Sequence, residues 1–490
     1  MAGQHFLMAE SLKQKAAKGL VWKFLGQGGT QLIQFISGIY IARILSPEDY
    51  GLIGMMAIFL GISQLFVDSG FRATLIQKGK EVTHDHYNVV FIFNISVSVL
   101  FYVIIFFGAP YIVSFYDEPR LLWVSRILAV NIILSSLGLI HQTILEKKLN
   151  FRTLTKIRLV SVLTSVLLGV ILAVRGYGVW ALVAMTISES LVRVVLISWV
   201  DKWSPTFSFN TTIFRELFSK GITIFFAGIL QQINNNLFAM IIGKYFTTTD
   251  VGYYSQGRKL QKRIVDFINS TIQGVMYPVQ SLMQDDIPRL KNAVRKNVKI
   301  TTLVIFPAAL GLIAIAKPFI LLFLTEKWLP SVYFLRVLSI AGLIYIIRTS
   351  ASSFLMAMGR FNIIAWIGSL NSILLITIIA LGLILKVDIK TLVLGKILQE
   401  TVSFWIIVYY SQKIVKYRIN ELIGDIFPAL VYSTVMLIFV ILLGSTYEYS
   451  LWMLFIQTSV GVIIYGTLNY IFNRRMFYEI MDQIRAIISH

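Results

Sequence analysis

The residues that could do chemistry in this chain are charges and amides set inside long apolar runs. Arg348 lies deep in one run; Lys23, Arg126, Arg193, Arg258, Lys259, Lys262, Arg263, Arg336 and Lys396 lie in others. A charge at the centre of a bilayer costs about 2.5–3.5 kcal/mol on insertion scales, so such groups turn from lipid towards a cavity or a partner. Arg348 is too far from either end of its run to reach water: either it faces a cavity or it is a buried structural hydrogen-bonder. Lys23, Arg126 and Arg336 lie near the ends of theirs, where a long side chain either snorkels to the interface or joins the same cavity. Arg258, Lys259, Lys262 and Arg263 crowd one half of a single run. Either they face the cavity, or that helix begins later and its first turns are solvated. Three carboxylates stand four residues from a cation: Glu189 with Arg193, Glu400 with Lys396, and Asp266 with Lys262. This spacing shares a helix face. Such pairs either neutralise one another for insertion or form a cation-sensitive switch for coupling or gating.

Amides form two further stripes. Lys23, Gln27, Thr30, Gln31 and Gln34 recur at steps of three and four along one face. Gln231, Gln232, Asn234, Asn235 and Asn236 cluster in a later run. Amides can glue helices together; two stripes at matching places in a repeat read better as walls of one hydrated cavity. Other chemistry is absent. There is no Cys, and the five His lack metal-ligand spacing, so neither a metal nor a cofactor is expected. The GQGG at 26–29 follows no strand and is no phosphate loop. Asp285 and Asp286 beside Arg289 read as a solvated helix start.

These groups are positioned by a membrane protein. Of 490 residues, 57% are hydrophobic and only 14% charged; mean hydropathy is +0.75. Soluble domains carry about 25% charged residues. Fourteen runs approach the ~20 residues that a spanning helix needs: 20–41, 51–67, 88–111, 121–145, 157–174, 179–200, 221–242, 253–282, 300–324, 332–358, 363–385, 392–410, 426–443 and 451–471. The eighth is the least apolar. With the N-terminus cytoplasmic, 26 Lys and Arg fall in inside segments and 8 in outside loops. The positive-inside rule then sets both termini in the cytoplasm. The net charge of +20 is absorbed by loops and headgroups, without nucleic acid. The first residues show no removable signal peptide, and Met8 offers a second start. No loop is long enough to hold a soluble catalytic domain, so no enzyme is expected.

The chain also repeats itself. ARILSPEDYG (42–51) lies over GKYFTTTDVG (243–252) at an offset of 201. Further on the offset is 210, pairing Arg126 with Arg336, Leu128 with Leu338 and Phe151 with Phe361. The nine extra residues are expected in the inside loop around Asp285. Six helices return the second copy in the same orientation, which implies a pseudo-two-fold axis along the membrane normal. The expected fold is an all-α integral membrane protein of 14 transmembrane helices. Two pseudo-symmetric six-helix lobes, 1–200 and 201–411, surround a central cleft, and 412–490 adds two C-terminal helices and a tail.

The stretches ARILSPEDYG, LFVDSGFRATLIQK (65–78), LEKKLNF (145–151), GYGVWALV (176–183), VGYYSQGRKL (251–260) and EKW (326–328), in this order and spacing, resemble the polysaccharide transporters of the multidrug/oligosaccharidyl-lipid/polysaccharide flippase superfamily, the Wzx-type exporters. The likeness covers nearly the whole chain. It departs at Asn234, Asn235 and Asn236, where such transporters often carry an acidic residue. The resemblance implies a bacterial inner-membrane flippase. It would move a polyprenyl-pyrophosphate-linked oligosaccharide outward by alternating access for O-antigen or exopolysaccharide synthesis, beside a polysaccharide polymerase. The residues agree, since sugars need amides and pyrophosphate needs fixed cations. On that reading Arg348, Lys23, Gln27, Gln31, Gln34, Arg126, Gln231, Gln232, Asn235, Lys262, Arg263 and Arg336 line the substrate cavity. Glu189, Arg193, Lys396, Glu400 and Asp266 serve coupling or gating. The competing readings are a drug or organic-cation exporter of the same superfamily, disfavoured by the basic surplus, and a membrane polysaccharide polymerase.

Overall fold

A computed structural model describes residues 22, 26–68, 70–78, 81–206, 208–445 and 448–474. Within them every regular element is helical: α1 (26–44), α2 (Pro47–Asp68), α3 (Phe71–Gln77), α4 (His84–Tyr116), α5 (Leu121–Lys147), α6 (Phe151–Val174), α7 (Val179–Val200), α8 (Thr211–Tyr245), α9 (Thr248–Ser281), α10 (Ile287–Phe319), α11 (Ser331–Ala357), α12 (Phe361–Ile384), α13 (Ile389–Val415), α14 (Ile419–Ser445) and α15 (Leu451–Phe472). Each of the fourteen apolar runs falls in one long helix, as far as its residues are described. Eleven helices among the described residues are long and apolar enough to cross a membrane. Exposed Phe107, Leu167, Trp366, Ile373, Val462 and Ile463 give these helices an apolar outer surface that water would not tolerate. The protein is a multi-pass membrane protein.

Helices in lipid must satisfy their own backbone groups, leaving only their ends to cap. Asn150 accepts from Thr153 N–H, Asn210 from Thr212 and Ile213 N–H, Asp286 from Arg289 N–H, and Ser450 from Met453 N–H. The α6–α7 turn passes through Gly176 and Gly178, at φ of +80° and +54°, the left-handed region that glycine adopts without strain.

The chain divides into two compact units after Gly252. In the first, α4 packs on α5, α6 on α7, α5 on α7, and α8 on α2. The short α3 is wedged among α4, α5 and α8 through Phe71, Leu75, Val90, Ile140 and Leu217. In the second, α10 packs on α11 and α14, α11 on α13, and α14 on α15. Ile305, Phe306, Leu310, Ile346, Met436 and Val440 make its core.

The repeat is visible in the elements. The helices α4 and α10 both have 33 residues, α5 and α11 both 27, and α6 and α12 both 24. Ser46 and Asp49 cap α2 reciprocally, and Thr247 and Asp250 repeat the arrangement at α9. Arg126 Nε donates to Phe106 O at 3.1 Å, and Arg336 Nε to Ile313 O at 3.2 Å. Gly51 and Gly252 are reciprocal too. A Cβ at Gly51 would sit 2.0 Å from Thr248 O, and one at Gly252 1.9 Å from Pro47 O. Only glycine permits either approach.

Three details differ from expectation. The extra residues of the second copy lie mostly beyond α10 rather than near Asp285. α10 starts 203 positions after α4, whereas α11 starts 210 after α5. The apolar Ile320–Leu324 continues α10 as a π turn, and Glu326–Trp328 adds a 3-10 turn with Trp328 wholly buried. α9 runs unbroken where the first copy breaks at left-handed Gly70 into α2 and α3. It also begins at Thr248, well before Arg258, so the helix does not start beyond its basic cluster.

Candidate functional site

In the second unit the structure brings three of the selected residues together. Glu400 on α13 is 3% exposed. Its Oε2 accepts from Arg348 Nε of α11 at 3.2 Å, and its Oε1 lies 3.4 Å from Lys396 Nζ one turn away. Lys396 also donates to Gln399 Oε1 at 2.6 Å, and Gln399 donates to Asn371 O on α12 at 2.9 Å. The Arg348 guanidinium covers the Tyr345 ring at 5.2 Å. Two cations thus share one carboxylate, leaving a surplus positive charge set in apolar helices. From α9, Arg258 comes within electrostatic reach of Lys396, and Asp266 of Tyr345. Lys262 and Asp266 pair at 3.7 Å with both side chains about half exposed. Arg263 is half-buried on the same helix.

The first unit holds the amide stripes. Gln27, Gln31 and Gln34 are half-buried on α1, and Lys23 lies outside the described residues. On α8 the stripe divides. Gln232 accepts from Asn236 Nδ2 at 3.0 Å and packs where a Gly61 Cβ would stand 3.1 Å away. Asn234 donates to its own helix at Leu230 O. Gln231 is exposed and Asn235 half-buried. On α7, Arg193 donates to Ser190 Oγ at 3.3 Å. Among the described residues no ion pair joins it to Glu189, although helical spacing would permit one. Arg126 and Arg336 hold carbonyls of the preceding helix, and Arg126 also covers Phe106 at 4.5 Å and Trp123 at 5.1 Å.

Sequence reasoning missed three clusters that join distant segments. Arg72 on α3 grips Glu146 on α5 with two hydrogen bonds, and Gln142 supports Glu146 at 3.0 Å. Asp68 joins them around a cavity of about 260 Å³, one of its oxygens buried with no hydrogen-bond partner among the described residues. Lys291, Arg295 and Lys299 of α10 clamp Glu421 and Asp425 of α14. Between α4 and α5, Glu118 takes Arg120 at 2.7 Å and Thr248 Oγ1 at 3.1 Å, while Arg120 reaches Glu48 at 3.1 Å. The Arg120 hydrogen bonds hold the Glu118 carboxyl below its ordinary range. The signal for Arg72 lay in LFVDSGFRATLIQK, whose Asp–Arg spacing marks a loop without naming the partner.

Known proteins share this architecture. Residues 40–333 match the family described as "Polysaccharide biosynthesis protein". The succinoglycan biosynthesis transport protein ExoT of Rhizobium meliloti is 24% identical over 95% of this chain and 94% of its own length. The teichuronic acid biosynthesis protein TuaB of Bacillus subtilis is 26% identical over 71% of this chain and 73% of its own. In fold, the lipid II flippase MurJ in an inward closed conformation superposes with a TM-score of 0.76 at 16% identity, covering 92% of this chain and 99% of that one. With a matched segment of more than half its length, this chain belongs to the polysaccharide biosynthesis protein family.

Proposed function

We propose that this protein carries a polyprenyl-pyrophosphate-linked oligosaccharide from the inner to the outer leaflet of a bacterial inner membrane by alternating access. The observation that carries the reading is the surplus positive charge at Arg348, Lys396 and Glu400 within apolar helices. A cation held in that environment is costly unless it serves an anion, and a pyrophosphate headgroup is such an anion. An organic-cation exporter would need the opposite sign. Gln27, Gln31, Gln34, Gln231, Gln232 and Asn235 would offer hydrogen bonds to sugar hydroxyls. Arg348, Lys23, Lys262 and Arg263 would meet phosphate, with Arg126 and Arg336 nearer the cavity rim. Glu400 with Lys396, Glu189 with Arg193, and Asp266 would serve coupling or gating. The topology we infer is fourteen spans with both termini cytoplasmic. The lobes 1–200 and 201–411 move against one another, and 412–490 is the appended pair with its tail. A polysaccharide polymerase would consume the product.

The test is transport of a labelled lipid-linked oligosaccharide by reconstituted variants. Arg348→Ala should abolish export while membrane insertion stays intact, and Arg348→Lys should rescue only partly, since an ammonium lacks the bidentate fork. Wild-type transport by Arg348→Ala removes this role.

A further inference from the structure

The LEKKLNF segment leaves two lysines that the cleft does not use, and the structure gives them a setting. At one end of the first unit, the strap after α7 folds back over α4 and α5. Asn88 ties it down, donating to Thr206 Oγ1 and accepting from Thr206 N–H at 3.0 Å. Trp203 of the strap is caged by His84, Phe91 and His141, with ring centroids 5.8, 5.3 and 5.5 Å away. Beside it opens a cavity of about 440 Å³ walled by His84, Tyr87, Lys148, Asp201, Lys202 and Trp203.

The charges here are arranged around one buried carboxylate. Asp201, 5% exposed, meets His141 Nδ1 at 3.2 Å through Oδ2 and Lys148 Nζ at 3.4 Å through Oδ1. Both its oxygens are therefore occupied. An ammonium has three donors, so Lys148 is fixed at the cavity with donors to spare. Lys202 is exposed next to it, and Lys147 lies 5.6 Å over the Tyr87 ring. The Trp203 Nε1 in the wall is buried and meets no acceptor among the described residues. A buried donor without a partner is costly. The cavity thus combines a basic surplus, a spare donor and aromatic walls at the ends of α4, α5 and α7, which are long and apolar enough to span the membrane. Trp, Tyr and Lys at that level are the residues of a headgroup interface.

We propose that this pocket binds a phosphate group, supplied by an anionic phospholipid headgroup or by free phosphate. The site shares no residue with the proposed transport cavity and rests on the flippase reading only for its placement at the cytoplasmic leaflet. A membrane phosphodiester held there would anchor the end of the first unit against which α3 and α8 pack.

Native mass spectrometry of the detergent-purified full chain tests this. The protein is titrated with dioleoyl phosphatidylglycerol, with dioleoyl phosphatidylcholine and with inorganic phosphate. A lysine near the surface is worth about a fivefold preference for an anionic headgroup. The first phosphatidylglycerol should thus bind on the order of 25-fold tighter than phosphatidylcholine through Lys148 and Lys202. The K148Q/K202Q variant should bring that ratio close to one, and its fold is checked by thermal melting, since the amide at position 148 can still donate to Asp201. W203F, which keeps the ring and loses the N–H, should weaken the first site severalfold. The K413Q/R360Q variant should keep the wild-type ratio, because neither residue lines the pocket. Displacement of the lipid by millimolar phosphate would identify free phosphate as a ligand; resistance would identify the lipid phosphodiester. No preference in the wild type, or an unchanged ratio in K148Q/K202Q, overturns the proposal. Binding here is read without transport, so it stands or falls apart from the flippase function.

Discussion

Replacing Glu400 with Gln keeps the shape of the side chain and removes the charge shared by Arg348 and Lys396. Glu400 is 3% exposed, and its partners lie at 3.2 and 3.4 Å. Breaking a buried ion pair from one side costs about 3–5 kcal/mol, because the remaining charge is left uncompensated. Here two cations are left facing each other, which places the cost at the upper end. Lys396→Met should be milder, about 1 kcal/mol or less, because a neutral Arg348–Glu400 pair survives it. The double variant should recover part of the loss, with a coupling of about 1–3 kcal/mol. At ~2.1 cal/mol/K per residue the unfolding entropy of a chain this long is about 1 kcal/mol/K, so Glu400→Gln should lower the Tm by about 5 °C. Thermal unfolding in detergent micelles, followed by far-ultraviolet circular dichroism and by tryptophan fluorescence, reads this directly. If Glu400→Gln unfolds with the wild type, or the double variant recovers none of its loss, the carboxylate does not hold the cluster together.

Gly51→Ala and Gly252→Ala should each destabilise by about 1–3 kcal/mol through overpacking, since the added Cβ meets a backbone carbonyl at 2.0 or 1.9 Å. Gly108→Ala in α4, with nothing within 4 Å, should be neutral or stabilising by up to ~1 kcal/mol in the same melts. Glu118 is held below its ordinary range by Arg120. Its contribution is therefore complete above the ordinary carboxylate range, about 4.3, and is lost as pH falls through its lower folded value. Glu118→Gln should lower the Tm at neutral pH and flatten its fall in acid; an unchanged acid limb contradicts the assignment. In this Cys-free chain, single cysteines at Lys244 and Lys327 should react with an impermeant maleimide only from outside the cell. Labelling only from the cytoplasm reverses the topology.

The fold was legible because lipid imposes one code. Apolar runs must be helices, so α7 appears at its observed ends, 179–200, and α5, α11, α6 and α12 differ from their runs mainly by terminal turns. The match of Arg126 with Arg336 was equally readable, and both side chains turn out to hold a neighbouring carbonyl. What was hidden is tertiary. Lys396 and Glu400 could be paired from a spacing of four, but Arg348 stands 52 residues from Glu400 and Arg72 stands 74 from Glu146. No local period reports such distances. Local spacing also leaves partners out: Arg193 donates to the Ser190 hydroxyl three residues back, a contact that its spacing to Glu189 does not announce. Insertions favour loops, which points to the polar loop at Asp285 for the extra residues of the second copy. Most of them lie instead in the apolar π turn Ile320–Leu324 and the following 3-10 turn, whose Trp328 is buried.

The most direct measurement is flipping itself, in proteoliposomes of purified protein loaded with labelled lipid-linked oligosaccharide on the cytoplasmic-type face. A pyrophosphate of about two negative charges gains ~2.3 kcal/mol per charge per 100 mV when moved outward across an inside-negative membrane. Transport should therefore proceed without ATP and quicken under an inside-negative potassium diffusion potential. Protein that leaves the labelled lipid in its original leaflet, or that moves it only when ATP is supplied, contradicts the account.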